Sequence, residues 1–104
     1  MSMKILTKKI LILILLLSAL ATHAGAQITG AIIDADTKDS IPYASVSYKG
    51  NQIAVSSNGA GKYSVERHEG WYITFSAVGY QPQRILVNAK TPDILNIRLK
   101  PDTR

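Results

Sequence analysis

Between Trp71 and Ala77 the side chains alternate: Trp71, Ile73, Phe75 and Ala77 fall on one parity, Tyr72, Thr74 and Ser76 on the other. A period of two is the signature of a strand with one buried face and does not fit the 3.6-residue repeat of an amphipathic helix. This stretch is expected to be the central core strand. It runs on through Val78 into Gly79, which tolerates backbone angles closed to other residues, and Tyr80, whose ring can pack while its hydroxyl finds a partner.

The first 26 residues stand apart. Lys4, Lys8 and Lys9 form a basic start, Ile10 to Ala21 is a nearly unbroken apolar run, and Ala24-Gly25-Ala26 is a small-residue site before Gln27. That order is the one a secretory signal peptide has. The apolar run is 12 residues long, short of the roughly 20 that cross a bilayer as a helix, so the mature chain is expected to carry no transmembrane span. The chain has no Cys, which removes disulfides, thiolate chemistry and a lipid-anchored processing site together. Three of its 12 basic residues precede Gln27 and none of its 7 acidic ones does, so residues 27–104 carry a net charge of +2. The basic residues that remain are scattered singly, and nucleic acid is not an expected partner.

From Gln27 onward the chain reads as short strands separated by turns. Residues 28–33 are rich in β-branched side chains, alternate at their start, and stop at the polar loop 34–40. Pro42 opens residues 43–49, where Ala44, Val46 and Tyr48 share a face. Residues 53–56 form a weak strand leading into Asn58-Gly59-Ala60-Gly61, a hairpin connection, from which Tyr63 and Val65 alternate on the return. After the central strand, Pro82 interrupts pairing ahead of the strand 85–87, and Leu95, Ile97 and Leu99 alternate with Asn96, Arg98 and Lys100 in a last strand, 94–99. Seven short strands and no helix predict an all-β, antiparallel sandwich of two sheets over residues 27–101, with a polar tail, 102–104. The uncharged strand 53–56 is expected at a sheet edge, with its Val55 N–H free enough for proline to be tolerated there.

The residues supply no catalytic constellation. Asp34, Asp36 and Asp39 begin like a calcium loop, but Lys38 occupies a ligand position, Asp39 the turn glycine and Ser45 the closing Glu. Gly61-Lys62 is followed by Tyr63 where a phosphate loop needs a hydroxyl for magnesium. His68 is the single His after residue 26, so no His-based metal cluster is expected, and beside Glu69 it reads as a solvated turn residue. No cofactor is implied. Tyr43, Tyr48, Tyr63, Trp71, Tyr72 and Tyr80 are candidates for a sugar- or peptide-stacking surface, although most sit at core parity.

Five segments in sequence carry a resemblance: Ile28-Thr29-Gly30-Ala31-Ile32-Ile33-Asp34, Ile41-Pro42-Tyr43-Ala44-Ser45-Val46, Gly61-Lys62-Tyr63-Ser64-Val65, Phe75-Ser76-Ala77-Val78-Gly79-Tyr80 and Leu95-Asn96-Ile97-Arg98-Leu99. Their order and spacing resemble the carboxypeptidase regulatory-like domain from Gln27 to Pro101, with Gly30, Asp34, Pro42, Gly61, Tyr63, Ser76, Gly79 and Tyr80 at the motif positions. Ser57-Asn58 stands where the family has Thr-Asp, and Ala54 where a glycine is common. The resemblance implies a transthyretin-like, seven-stranded Greek-key sandwich without peptidase activity of its own. It also implies a setting: similar modules follow the signal peptide of TonB-dependent outer-membrane receptors on the periplasmic side. Export to the periplasm or outer membrane, a protein partner there, and a glycan or peptide ligand as the alternative are the resulting expectations.

Overall fold

The computed structural model describes residues 26–51 and 53–102. The leader read over residues 1–26 lies, apart from Ala26, outside the described residues, as does the end of the polar tail. The strands are β1 (Gln27–Asp34), β2 (Ser45–Tyr48), β3 (Ala54–Ser56), β4 (Lys62–Glu66), β5 (Tyr72–Ser76), β6 (Gln83–Leu86) and β7 (Ile97–Leu99). They form a three-stranded sheet in the order β4-β1-β7 and a four-stranded sheet in the order β3-β2-β5-β6. The chain is a β-sandwich.

The alternation read from the sequence is what closes it. Ile28 and Ile32 of β1, Tyr63 and Val65 of β4, and Ile97 and Leu99 of β7 bury against Val46 and Tyr48 of β2 and Ile73 and Phe75 of β5, with Ile41, Ala44 and Val87 filling the ends. Residues of opposite parity in β2, β4 and β5 face outward. Burying an aliphatic or aromatic side chain of this kind stabilises by about 1.5–3 kcal/mol relative to exposure. Removal of any member is therefore felt by the whole domain.

Several expectations are corrected. The sandwich is not wholly antiparallel, because β7 runs parallel to β1. β7 is also shorter than the alternation suggested. Ile94 makes only an isolated bridge to Thr29, and Ala31 N–H donates to Asn96 Oδ1, so a side-chain oxygen replaces a main-chain carbonyl and interrupts the ladder. β2 starts at Ser45, not at Tyr43, because Tyr43 adopts a left-handed φ of 57° in the turn after Pro42. β6 begins directly after Pro82, a position where proline is tolerated. A single 3-10 turn, Lys49–Asn51, follows β2, where no helical element was expected. Trp71 and Ala77 flank β5 and are not core members of it: Trp71 is 38% exposed at the end of the sheet, although its carbonyl still accepts the Val87 N–H.

The weak strand is at an edge of the four-stranded sheet, but the orientation expected for Val55 is reversed. Tyr48 N–H donates to Ile53 O, and Ser57 N–H donates to Ala44 O. Bonded and non-bonded pairs alternate along an antiparallel ladder, and the register pairs Val55 with Val46. Val55 thus turns its N–H and C=O toward β2, while Ala54 and Ser56 turn theirs to the open side.

Candidate functional site

Six of the eight motif positions gather at two places, where they serve as loop caps, close packing and hydrogen bonds. The first is the corner where β1 ends. Asp34 is nearly buried, and its Oδ1 accepts the N–H groups of Asp36 (2.8 Å) and Thr37 (3.0 Å), while Oδ2 accepts the Tyr80 hydroxyl at 2.8 Å. These donors hold the Asp34 carboxyl below its ordinary range, the Thr37 backbone first, then the Tyr80 hydroxyl. The same bond pushes the Tyr80 phenol up. The acidic loop is capped by the protein's own donors, with Lys38 in a left-handed conformation (φ 66°) and its ammonium on Ala35 O. Gly79 sits at φ 87° beside Tyr80, and its carbonyl accepts the Asp102 N–H, tying this corner to the end of the chain.

The second place surrounds Gly30. A Cβ built there would lie 2.0 Å from the Leu95 carbonyl oxygen, so only glycine lets the segment before β7 lie across β1. Tyr63 donates its hydroxyl to that same Leu95 carbonyl, and its ring meets Phe75 edge-on with centroids 5.2 Å apart. Burial pushes the Tyr63 phenol well up. Gly61, at φ 76°, gives its carbonyl to Ile32 N–H at the start of β4. Pro42 is exposed at its turn, and Ser76 lies on the outer face of β5 opposite Ser45.

Two residues read only as departures have definite roles. Ser57 is buried; its hydroxyl donates to Ile41 O (2.9 Å) and accepts from Ala44 N–H (2.8 Å), clamping the Pro42-Tyr43 turn. Asn58 Oδ1 accepts from Ala60 and Lys62 N–H, both at 3.0 Å. Ser-Asn therefore retains the oxygens that Thr-Asp would offer. Arg67 was not singled out from the sequence. Its guanidinium donates to Asn88 O and Thr91 O and pairs with Asp93, holding the loop ahead of β7.

The aromatic candidates separate. Tyr48 and Tyr63 are core, Tyr80 is committed to Asp34, and Tyr43 stands exposed beside Val78. Trp71 and Tyr72 come together with Lys49, Gly50 and Gly70 around an open cleft of about 540 Å³. His68 is not simply solvated: its ring stacks on Trp71 at 4.3 Å, with Tyr48 edge-on to both, and its Nε2 lies 3.1 Å from Glu66 Oε2. The Arg84 guanidinium lies 4.1 Å from the Tyr72 ring centroid. Pre-oriented aromatic faces beside a cation can take a ring-shaped or planar polar ligand. Among the described residues no group of three His, Cys, Asp or Glu side chains converges to hold a metal.

The model of a family described as CarboxypepD_reg-like domain matches residues 28–104. Comparison with curated proteins finds no match.

Proposed function

Since the chain belongs to the CarboxypepD_reg-like domain family, we propose that it is an exported, non-catalytic accessory module. In this reading it is periplasmic or outer-membrane associated and acts with a TonB-dependent nutrient-uptake receptor, as a partner or as the front segment of one. The observation that carries the non-catalytic part of the reading is the use made of the motif residues. Asp34, Tyr80, Gly30, Tyr63 and Gly61 cap loops, admit a close strand and lock the two sheets. What the fold then offers is surface. The leader-like residues 1–26 support export.

The test has two parts. Intact mass of the chain recovered from the periplasm should show cleavage before Gln27, and a species retaining Met1 would count against export. In-cell photo-crosslinking from position 72, followed by outer-membrane purification, should link the chain to a TonB-dependent receptor. A downstream reading frame encoding plug and barrel would identify the chain as the receptor's own front segment. Failure of both ends the receptor reading.

The cleft at Trp71 and Tyr72 favours a second reading, a stand-alone carbohydrate- or peptide-binding domain. Trp71 is the single Trp of the chain, so its fluorescence reports the cleft directly. Saturable quenching by oligosaccharides or short peptides, lost in Trp71→Phe/Tyr72→Ala, is the expected result if this reading holds; a flat titration removes it.

A further inference from the structure

Sheet edges are pairing surfaces, and natural proteins guard them with charge, proline or brevity. Three of the edges here carry such guards. β4 displays Lys62 and Glu66, β6 follows Pro82 and carries Arg84, and β7 carries Arg98 and leads into Lys100 and Pro101. β3 differs. Its Ala54 and Ser56 are small, uncharged and exposed, and their N–H and C=O groups face away from β2, as the alternating ladder dictates. Among the described residues none of these groups has another backbone hydrogen-bond partner.

We propose that the open edge of β3 is a docking edge for an extended, uncharged strand of a partner polypeptide, which adds a fifth strand to the four-stranded sheet. This deepens the accessory-module reading by naming its contact surface. A second copy of this chain is the poorer occupant. Pairing β3 with itself spans three residues, a small contact for two folded copies, whose specific association typically buries roughly 1,200 Å² or more. An extended segment has no such requirement, because main-chain hydrogen bonds supply affinity and alternate side chains supply selectivity.

The sheet also states which side chains suit the guest. On the outer face Ser56, Ser45 and Ser76 line up across three strands, so the guest's outward residues lie beside a row of hydroxyls. On the inner face Val55 and Ile53 are half-buried against the core. A strand alternating hydroxyl-bearing and aliphatic residues fits both.

The probe is a capped heptapeptide alternating Thr and Val, titrated into the purified, isotope-labelled chain and followed by amide NMR and hydrogen exchange. In the free chain Val55 N–H should be protected while those of Ala54 and Ser56 exchange with solvent. The peptide should shift and protect the latter two. N-methylating alternate peptide amides should abolish this, and Ala54→Lys should weaken binding by about tenfold or more with an unchanged denaturation midpoint. Protection of Ala54 and Ser56 before any peptide is added would overturn the proposal, as would equal binding of the N-methylated peptide or no shift at millimolar peptide. Protection that rises with chain concentration alone would assign the edge to a second copy, against the proposal. Because the titration uses purified chain, it stands or falls separately from receptor association in cells.

Discussion

At the scale of single residues, the glycines separate two physical reasons for the same residue type. Gly79 is needed for its backbone angle alone, since a Cβ there meets nothing within 4 Å, whereas Gly30 is needed for space, with the Leu95 carbonyl oxygen 2.0 Å from the built Cβ. Gly79→Val should therefore destabilise by about 1–3 kcal/mol. Gly30→Ala, a smaller chemical change, should cost at least as much because β1 and the Leu95 segment must part. Urea midpoints of the two variants measure the order, and an unchanged midpoint for Gly30→Ala would refute the close approach. Asp34 makes a prediction in pH. Its carboxyl is held below the ordinary value of 3.8, so its contribution is full above that unfolded value and is lost as pH falls through the lower folded one. Asp34→Asn should remove this part of the acid limb of the stability curve, and Tyr80→Phe should reduce it, as thermal melts between neutral and strongly acid pH can show. The motif made Asp34 and Tyr80 legible as positions, but not as partners 46 residues apart. Ser57 was legible only as a replacement for Thr; that its hydroxyl would be buried and doubly bonded depends on where the Pro42 turn lands.

Elements were legible to the extent that one face decided them. β4 and β5 follow from strict alternation, since a one-residue slip would turn every core side chain to water. β7 was overextended because its apolar parity continues to Leu95 while the pairing is broken by the Asn96 side chain. No pattern of apolarity encodes that exchange. The direction of each N–H in β3 was likewise hidden, because it is a property of the pair and not of the strand. Tyr48 to Ile53 and Ser57 to Ala44 fix the phase, and Val55 falls on the inward side. Val55→Pro should then remove a ladder bond and destabilise by about 1–3 kcal/mol, while Ala54→Pro, which removes an outward N–H, should lower the denaturation midpoint by distinctly less. Equal losses would mean that the phase is wrong. Ser57→Ala should also cost about 1–3 kcal/mol by leaving Ala44 N–H and Ile41 O unpaired, and Ser57→Thr should restore most of it.

Across the whole molecule the sandwich is joined by side chains that start in one sheet and end at the other. Tyr48 of β2 donates its hydroxyl to Glu66 O of β4 and accepts the His68 N–H, while Tyr63 of β4 packs its ring on Phe75 of β5. The fold closes by pairing its first strand with its last. β7 lies parallel along the end of β1, buries Ile97 and Leu99, and brings with it the Leu95 carbonyl that receives the Tyr63 hydroxyl. Until those residues arrive, β1 has one partner, β4, and its Ile32 faces an incomplete core. Nonlocal closure of this kind makes the end of the domain a condition for the rest, since the entropy of ordering the early strands is not offset without it. A chain ending after Ile94 should therefore lose cooperative unfolding altogether, with collapse of the near-ultraviolet circular dichroism of Trp71 and the tyrosines. A chain ending after Asp102 keeps β7, the Tyr80–Pro101 bridge and the Asp102 to Gly79 bond, and should melt as the full chain does. Retention of a sharp melt by the shorter truncation would show that β4 and the four-stranded sheet hold β1 unaided, and that β7 is an accessory strand.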